Sequence, residues 1–287
     1  MSKPRFVTLP DDVRSVRIPI PGGHLAALRS ADGAPRPGGT ALLVPGYTGS
    51  KEDFIAVVAP LTRAGFHIVA IDLRGQNQSP AAAPDDADAY TLARLGQDVL
   101  DAADAVSPDE PVHLLGHSFG GLVARAAALA NPSRIRSLTL LCTGPAAIPN
   151  PSAENAQLLA AAAGMMSLPD IWTEIKRMEA EAGQPMEPDP EIEEFMHRRF
   201  IANDPAQLIG TAHELTTAED RVAELKKTGL PIYVACGVDD DAWPVEIQRD
   251  MAGRLGAPFH LIEDSGHSPA VDNPDGTVAY LTEVWTG

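Results

Sequence analysis

The stretch Val112-His113-Leu114-Leu115-Gly116-His117-Ser118-Phe119-Gly120-Gly121 passes from an apolar run through Gly-x-Ser-x-Gly into an Ala-rich helical pattern. That order predicts a strand, a sharp turn and a helix, with Ser118 on the turn. A serine held there takes a strained backbone, and the positions two before and two after it have almost no room for a side chain. Gly116 and Gly120 occupy those positions. The turn lifts the Ser118 hydroxyl out of the sheet at its C-terminal edge, with the Phe119 amide pointing into the same space, where a nucleophile and an oxyanion donor would stand. The competing reading is a serine that merely caps the following helix.

Outward from this stretch the pattern alternates. Val13–Ile20 and residues 24–29, joined by Pro21-Gly22-Gly23, read as an antiparallel hairpin. Residues 31–39 are a Gly- and Pro-rich loop leading into Thr40–Val44, an unbroken apolar run suited to a strand buried on both faces. Pro45-Gly46-Tyr47-Thr48-Gly49 then turns, leaving amides at the C-terminal edge of the sheet. A helix over 54–64, a strand over His67–Ile71, Asp72-Leu73-Arg74-Gly75, a mobile surface loop over 76–89 and a helix over 90–106 come next. Beyond Ser118 lie a helix over 122–130 and a strand over 135–142. From 144 to 229 the pattern is helical only, broken by prolines, which predicts a cap inserted into a core of residues 1–143 and 230–287. Strands at 230–236 and 258–262 and helices at 244–255 and 273–285 complete the core. The expected fold is α/β: a mostly parallel sheet with helices on both faces and ligands at the C-terminal ends of the strands.

Composition narrows the function. A formal charge of −17 over 287 residues repels polyanions, so neither nucleic acid nor an anionic membrane face is an expected partner. No apolar run approaches the roughly 18 residues of a transmembrane helix, and the first ten residues lack the apolar core of a signal peptide; a cytoplasmic protein is expected. Cys142 and Cys236 each end an apolar run without metal-ligand spacing, which reads as buried reduced thiols. Oligomeric state leaves no trace in the sequence.

The chain resembles the α/β-hydrolase superfamily over essentially its full length apart from the cap. The resemblance is carried by Val44-Pro45-Gly46-Tyr47, Asp72-Leu73-Arg74-Gly75, Gly116-His117-Ser118-Phe119-Gly120, Gly237-Val238-Asp239-Asp240 with Pro244, and Gly266-His267-Ser268-Pro269 with Asn273-Pro274. It implies a triad in the order Ser118, Asp240, His267, with the main-chain amides of Tyr47 and Phe119 as oxyanion hole and no metal or cofactor. Asp239 and Asp241 are the alternatives for the acid. The chain departs from relatives in having Pro45-Gly46 for His-Gly and Gln76-Asn77-Gln78 for the His-Gly that comes after Arg-Gly. His113 and His117 read as structural, and Asp72 as the organiser of its loop. Candidate substrate contacts are Trp243 and, in the cap, Met165, Met166 and Trp172, with simple packing the alternative for each.

The resemblance implies a serine hydrolase acting on an ester, lactone or thioester of a small, largely apolar molecule through an acyl-enzyme on Ser118. The rivals are a C–C bond hydrolase, lyase or cofactor-free perhydrolase using the same triad, and a noncatalytic ligand-binding member of the fold.

Overall fold

The computed structural model describes residues 1–31 and 36–287, so the predicted loop at 31–39 lies partly outside the described residues. Four apolar runs form the middle of the sheet: Thr40–Val44 (β3), His67–Ile71 (β4), Val112–His117 (β5) and Ile135–Leu141 (β6), nearly all of whose residues are buried. Val13–Ile20 (β1), Gly23–Ser30 (β2), Ile232–Gly237 (β7) and Phe259–Ile262 (β8) extend it to eight strands in the order β1-β2-β4-β3-β5-β6-β7-β8. The β1–β2 and β2–β4 pairs are antiparallel, and every other pair is parallel.

Register aligns the strand ends that matter. Val44 lies opposite Gly116, His117 opposite Leu141, Leu141 opposite Ala235, and Gly237 opposite Ile262. The loops after β3, β5, β7 and β8 therefore leave at one edge, which is where parallel α/β sheets bind ligands. Successive residues of β3 enter opposite layers, as a strand period of two dictates. Leu42 and Val44 pack with Leu92–Val106 (α2) and Phe119–Ala130 (α3), whereas Ala41 and Leu43 pack with Ile55–Arg63 (α1) and with Pro274–Thr286 (α11), which the short helix Pro269–Asp272 (α10) precedes.

Five helices separate β6 from β7: Ser152–Ala163 (α4), Leu168–Glu181 (α5), Pro190–Ile201 (α6), Pro205–Thr217 (α7) and Val222–Lys227 (α8). The prolines that break the pattern mark helix starts: α5, α6 and α7 each carry Pro in the first turn, behind Ser167, Asp189 or Asp204, whose side chain accepts a main-chain N–H. Helices α4 and α7 pack together, as do α5 and α6, around Leu168, Ile171, Trp172, Phe195 and Phe200. Helix α8 instead packs on α3 and on Val245–Leu255 (α9), because Val222 and Leu225 are its buried apolar positions. The chain has thus rejoined the layers of the sheet before residue 229.

The expectation of a mobile surface loop over 76–89 is corrected in its first part. Gln76 and Ser79 are buried, each satisfying main-chain groups of other segments that would otherwise be stranded in the interior. Both cysteines are buried and free. Among the described residues no helix is long and apolar enough to cross a membrane.

Candidate active site

Ser118 sits at φ 56°, ψ −124°, a region that residues with a side chain rarely occupy and that stores about 1–3 kcal/mol of strain. The turn holds because its neighbours are glycines. A Cβ on Gly116 would come 2.3 Å from the Gly120 carbonyl oxygen, and one on Gly120 would come 2.4 Å from that of Val44. The Ser118 N–H donates to the Leu141 carbonyl at 3.0 Å. Its side chain makes no capping hydrogen bond to α3, which disposes of the capping alternative.

The hydroxyl faces His267 instead. Ser118 Oγ lies 2.9 Å from His267 Nε2, and His267 Nδ1 lies 2.8 Å from Asp240 Oδ1. With Asp240 ionised, Nδ1–H donates to the carboxylate and the Nε2 lone pair accepts the serine proton. The Asp240 side chain has no exposed surface. It also accepts the Gln248 amide at 2.7 Å on Oδ2 and the Ala242 N–H at 3.0 Å on Oδ1. Burial pushes this carboxyl up, but the hydrogen bond and charge of His267, with Gln248 and Ala242, together hold it below the usual carboxylate range. Asp239 and Asp241 are exposed and make no bond to the imidazole. The loops carrying Asp240 and His267 touch at Gly237, where a Cβ would come 2.1 Å from the Gly266 carbonyl oxygen.

His117, which the sequence suggests is packing, is part of this arrangement. Its Nε2–H donates to the His267 carbonyl oxygen at 2.6 Å, and the two rings lie 5.1 Å apart. Burial, then the neighbouring His267, lower its pKa to about 4, so the ring is neutral near pH 7. Cys142 lies alongside, its thiol 3.9 Å from the Gly266 carbonyl oxygen and pushed well above the ordinary thiol range by burial. Ligand atoms of His117, Cys142 and His267 lie within 4.8 Å of one another. An ion held there would compete with the bonds that His267 makes to Ser118 and Asp240.

Two amides complete the geometry. Among the described residues neither the Tyr47 nor the Phe119 N–H has a protein acceptor. Phe119 opens α3, so its amide also stands at the positive end of a helix dipole. Gly46 lies against Ser118: a Cβ there would be 3.4 Å from Ser118 Oγ. An alkoxide-forming serine, a neutral imidazole, a buried carboxylate and two unengaged N–H groups can together add a hydroxyl to a carbonyl carbon.

Residues 41–280 match the family model of the Alpha/beta hydrolase family. The chain belongs to that family. RutD of Variovorax paradoxus (strain S110), whose name assigns it provisionally to carbamate hydrolysis, is 30% identical over 247 residues, covering 83% of this chain and 88% of its own. A 2-hydroxy-6-oxononadienedioate/2-hydroxy-6-oxononatrienedioate hydrolase of Paraburkholderia xenovorans (strain LB400) is 29% identical over 235 residues, 78% of this chain and 77% of its own. A pimeloyl-[acyl-carrier protein] methyl ester esterase of Methylococcus capsulatus is 27% identical over 225 residues, 76% of this chain and 84% of its own. This chain is accordingly an enzyme of hydrolase type.

In this alpha/beta hydrolase a cavity of about 370 Å³ opens over Ser118 and His267. Ile148, Leu159, Ile175, Phe200 and Leu215 supply apolar walls, and the exposed Asp241 is also among the lining residues. The four proposed substrate contacts lie elsewhere. Trp243 is fully buried beside Gly144, and Trp172 packs inside the inserted helices against Phe200 and His197. Met165 and Met166, at the turn between α4 and α5, face outward with 80% and 41% of their surface exposed. An apolar residue on a helix of an insertion has three possible sides to face, and spacing alone does not choose among them.

The inserted helices are joined to the hydrolase core by polar bonds. Arg199 of α6 pairs with Asp53 at 2.8 Å, both buried. The Tyr47 hydroxyl donates to the Leu208 carbonyl at 2.9 Å, and the Asp204 N–H to the Gly75 carbonyl at 2.8 Å. Beneath them Lys51, fully buried, pairs with Asp72 at 2.8 Å and Glu52 at 2.7 Å. Asp72 does organise its loop through local hydrogen bonds, Oδ2 accepting the Gln78 N–H and the Asn77 side-chain amide at 3.2 Å each, and the Lys51 pair adds a partner that sequence proximity does not suggest.

Proposed function

We propose that this alpha/beta hydrolase cleaves an uncharged, largely apolar carboxylic ester, with lactones and thioesters as chemical equivalents, through an acyl-enzyme on Ser118. The observation that carries the reading is the relay Ser118–His267–Asp240, with distances of 2.9 and 2.8 Å, at the floor of an apolar-walled cavity. Ser118 Oγ adds to the carbonyl carbon as its proton passes to His267 Nε2, and the Tyr47 and Phe119 amides bind the oxyanion. Collapse expels the alcohol, which takes that proton. Water then adds to the acyl-enzyme by the same route and releases the acid and Ser118. Helices α4–α7 act as the cap that walls the acyl group from water.

C–C bond hydrolysis is the second reading, favoured by the relatives named for oxononadienedioate. The exposed Asp241 among the lining residues disfavours a dicarboxylate, which supports the ester as the first reading.

Intact-mass labelling with an uncharged alkyl fluorophosphonate tests the nucleophile. One adduct, mapped to Ser118 and absent from Ser118→Ala, is the expected result. A folded wild type that takes no adduct overturns the reading, and product analysis with unlabelled enzyme separates ester from C–C cleavage.

The pH profile carries a sign. A base must be neutral to accept the serine proton, so a second imidazole charging in the working range would steepen the acid limb of kcat/KM. His117 takes its proton only near pH 4. His117 is therefore expected to add no second proton to the acid limb of log kcat/KM above about pH 5, and a slope of two there would show that it does.

A further inference from the structure

Resting on the reading of Tyr47 as an oxyanion donor, we propose that Gln76 aims that amide at the reacting carbonyl and is a positioning residue of the hydrolase. Gln76 has no exposed surface and uses both ends of its side-chain amide. Oε1 accepts the Leu73 N–H at 3.1 Å, while Nε2 donates to the Gly46 carbonyl at 2.8 Å and the Tyr47 carbonyl at 3.2 Å. The Leu73 donor identifies the oxygen end, so two main-chain carbonyls share the NH₂ end. The side chain is itself set by a turn after β4, in which the Gln76 N–H donates to Leu73 and its carbonyl accepts the Ser79 N–H. The loop after β4 thereby braces the loop after β3.

The consequence lies on the opposite side of the braced peptide. The cis peptide among the described residues is Asn150–Pro151, so Gly46–Tyr47 is trans, and a trans peptide points its N–H away from its C=O. Holding the Gly46 carbonyl on Gln76 turns the Tyr47 N–H away from Gln76. Gly46, Tyr47 and Ser118 share the cavity wall, and a Cβ on Gly46 would lie 3.1 Å from Ser118 Cβ. Glycine resists rotation of the following peptide only weakly. Without the Gln76 amide the Gly46–Tyr47 peptide is free to flip, which would place a carbonyl, an acceptor, where an oxyanion needs a donor. The Gly49 N–H, 3.2 Å from the Gly46 carbonyl, gives a second but weaker hold.

Gln76→Met keeps the length of the side chain and removes both its donor and its acceptor; Gln76→His restores a ring N–H. Three readouts apply to p-nitrophenyl butyrate and its analogues. They are kcat against KM, inhibition by an alkyl trifluoromethyl ketone, and inhibition by the ether in which CH₂ replaces the carbonyl. Ser118 Oγ adds to the ketone carbon as its proton moves to His267, giving a hemiketal oxyanion, whereas the ether reports ground-state fit alone. The expected result for Gln76→Met is a kcat lower by about 30–100-fold, KM within about 3-fold, ketone affinity lowered in proportion to kcat, and ether affinity unchanged. Gln76→His is expected to recover kcat to within about 5-fold of wild type. A folded Gln76→Met that keeps kcat and ketone affinity within about 2-fold overturns the proposal, as do equal losses for ketone and ether. Should Gln76→Met fail to fold, Gln76→Glu, which keeps the Leu73 acceptor but turns an oxygen toward both carbonyls, is judged on the same readouts. A wild type that neither hydrolyses the ester nor takes label at Ser118 refutes the parent reading before any Gln76 variant is made.

Discussion

Asp240→Asn is expected to lower kcat about 10⁴-fold while leaving the protein folded. The size of the effect comes from the number of donors already aimed at this carboxylate. Asp240 accepts from His267 Nδ1, from the Ala242 N–H and from Gln248 Nε2. An ionised carboxylate takes all three, but an amide has one oxygen and one NH₂. If the Asn oxygen faces His267 and Ala242, its NH₂ meets the NH₂ of Gln248. If it turns the other way, its NH₂ meets the Ala242 N–H and demands that His267 Nδ1 become an acceptor, which moves the ring proton to Nε2 and leaves Ser118 facing a donor. The second arrangement destroys the base, and the first leaves a neutral group where the imidazolium needs a negative charge. Asp239→Asn and Asp241→Asn, at exposed positions with no bond to the ring, are expected to change kcat by less than about 3-fold. Steady-state kinetics on the ester found by screening, with circular dichroism as the folding control, checks all three. A 10⁴-fold loss at Asp239, or a loss under about 10-fold at Asp240, would show that the acid is wrongly assigned.

The legible part of this site is the part written in short, local patterns. A nucleophile turn needs Gly, Ser and Gly at fixed spacing because backbone contacts forbid anything larger, so Ser118 and its turn announce themselves in five residues. Asp240 and His267 are legible because each comes after an apolar strand in the expected order. What holds them is not legible. Gln248 lies on a helix face beneath Asp240, and Gln76 reaches back thirty positions to Gly46; an isolated glutamine has no period and no spacing rule. Helices α4–α7 show the same limit differently. Helical spacing marks Trp172 and the methionines as apolar, yet the side facing the cavity is decided by how α4–α7 pair, and Trp172 turns to their shared core. The start of the 76–89 stretch misled because polar composition usually means solvent, whereas the side chains of Gln76 and Ser79 serve buried main chain; most of residues 80–88 are exposed, as expected.

The buried ion pair between α6 and Asp53 gives the other large effect. Arg199→Met is expected to destabilise the protein by about 3–5 kcal/mol, because it leaves the Asp53 carboxylate buried without its partner. Burial already pushes Asp53 above the usual carboxylate range against the pull of Arg199, and removing the guanidinium pushes it further. This sets the pH dependence. A carboxyl whose folded pKa exceeds its unfolded value binds more protons when folded, so stability rises as pH falls toward the folded pKa. Relative to wild type, Arg199→Met should therefore be less destabilised at pH 5.5 than at pH 8. Asp53→Asn retains an oxygen for the Ser50 N–H, which Asp53 accepts at 3.2 Å, while removing the charge. The double variant Arg199→Met/Asp53→Asn should accordingly recover about half or more of the lost stability. Urea unfolding of the four proteins at both pH values measures this. Additive losses, or a deficit independent of pH, would show that Arg199 acts through packing on Phe195 and Met196 rather than through its charge. The pair also bears on chemistry through its neighbour in the chain. Phe200 lines the cavity, so the bond that fixes Arg199 to the core also fixes one wall of that cavity. A loosened α6 should raise KM for the proposed ester more than it lowers kcat, because the bonded set Ser118, His267 and Asp240 is built entirely from loops of the sheet and does not depend on where α4–α7 rest.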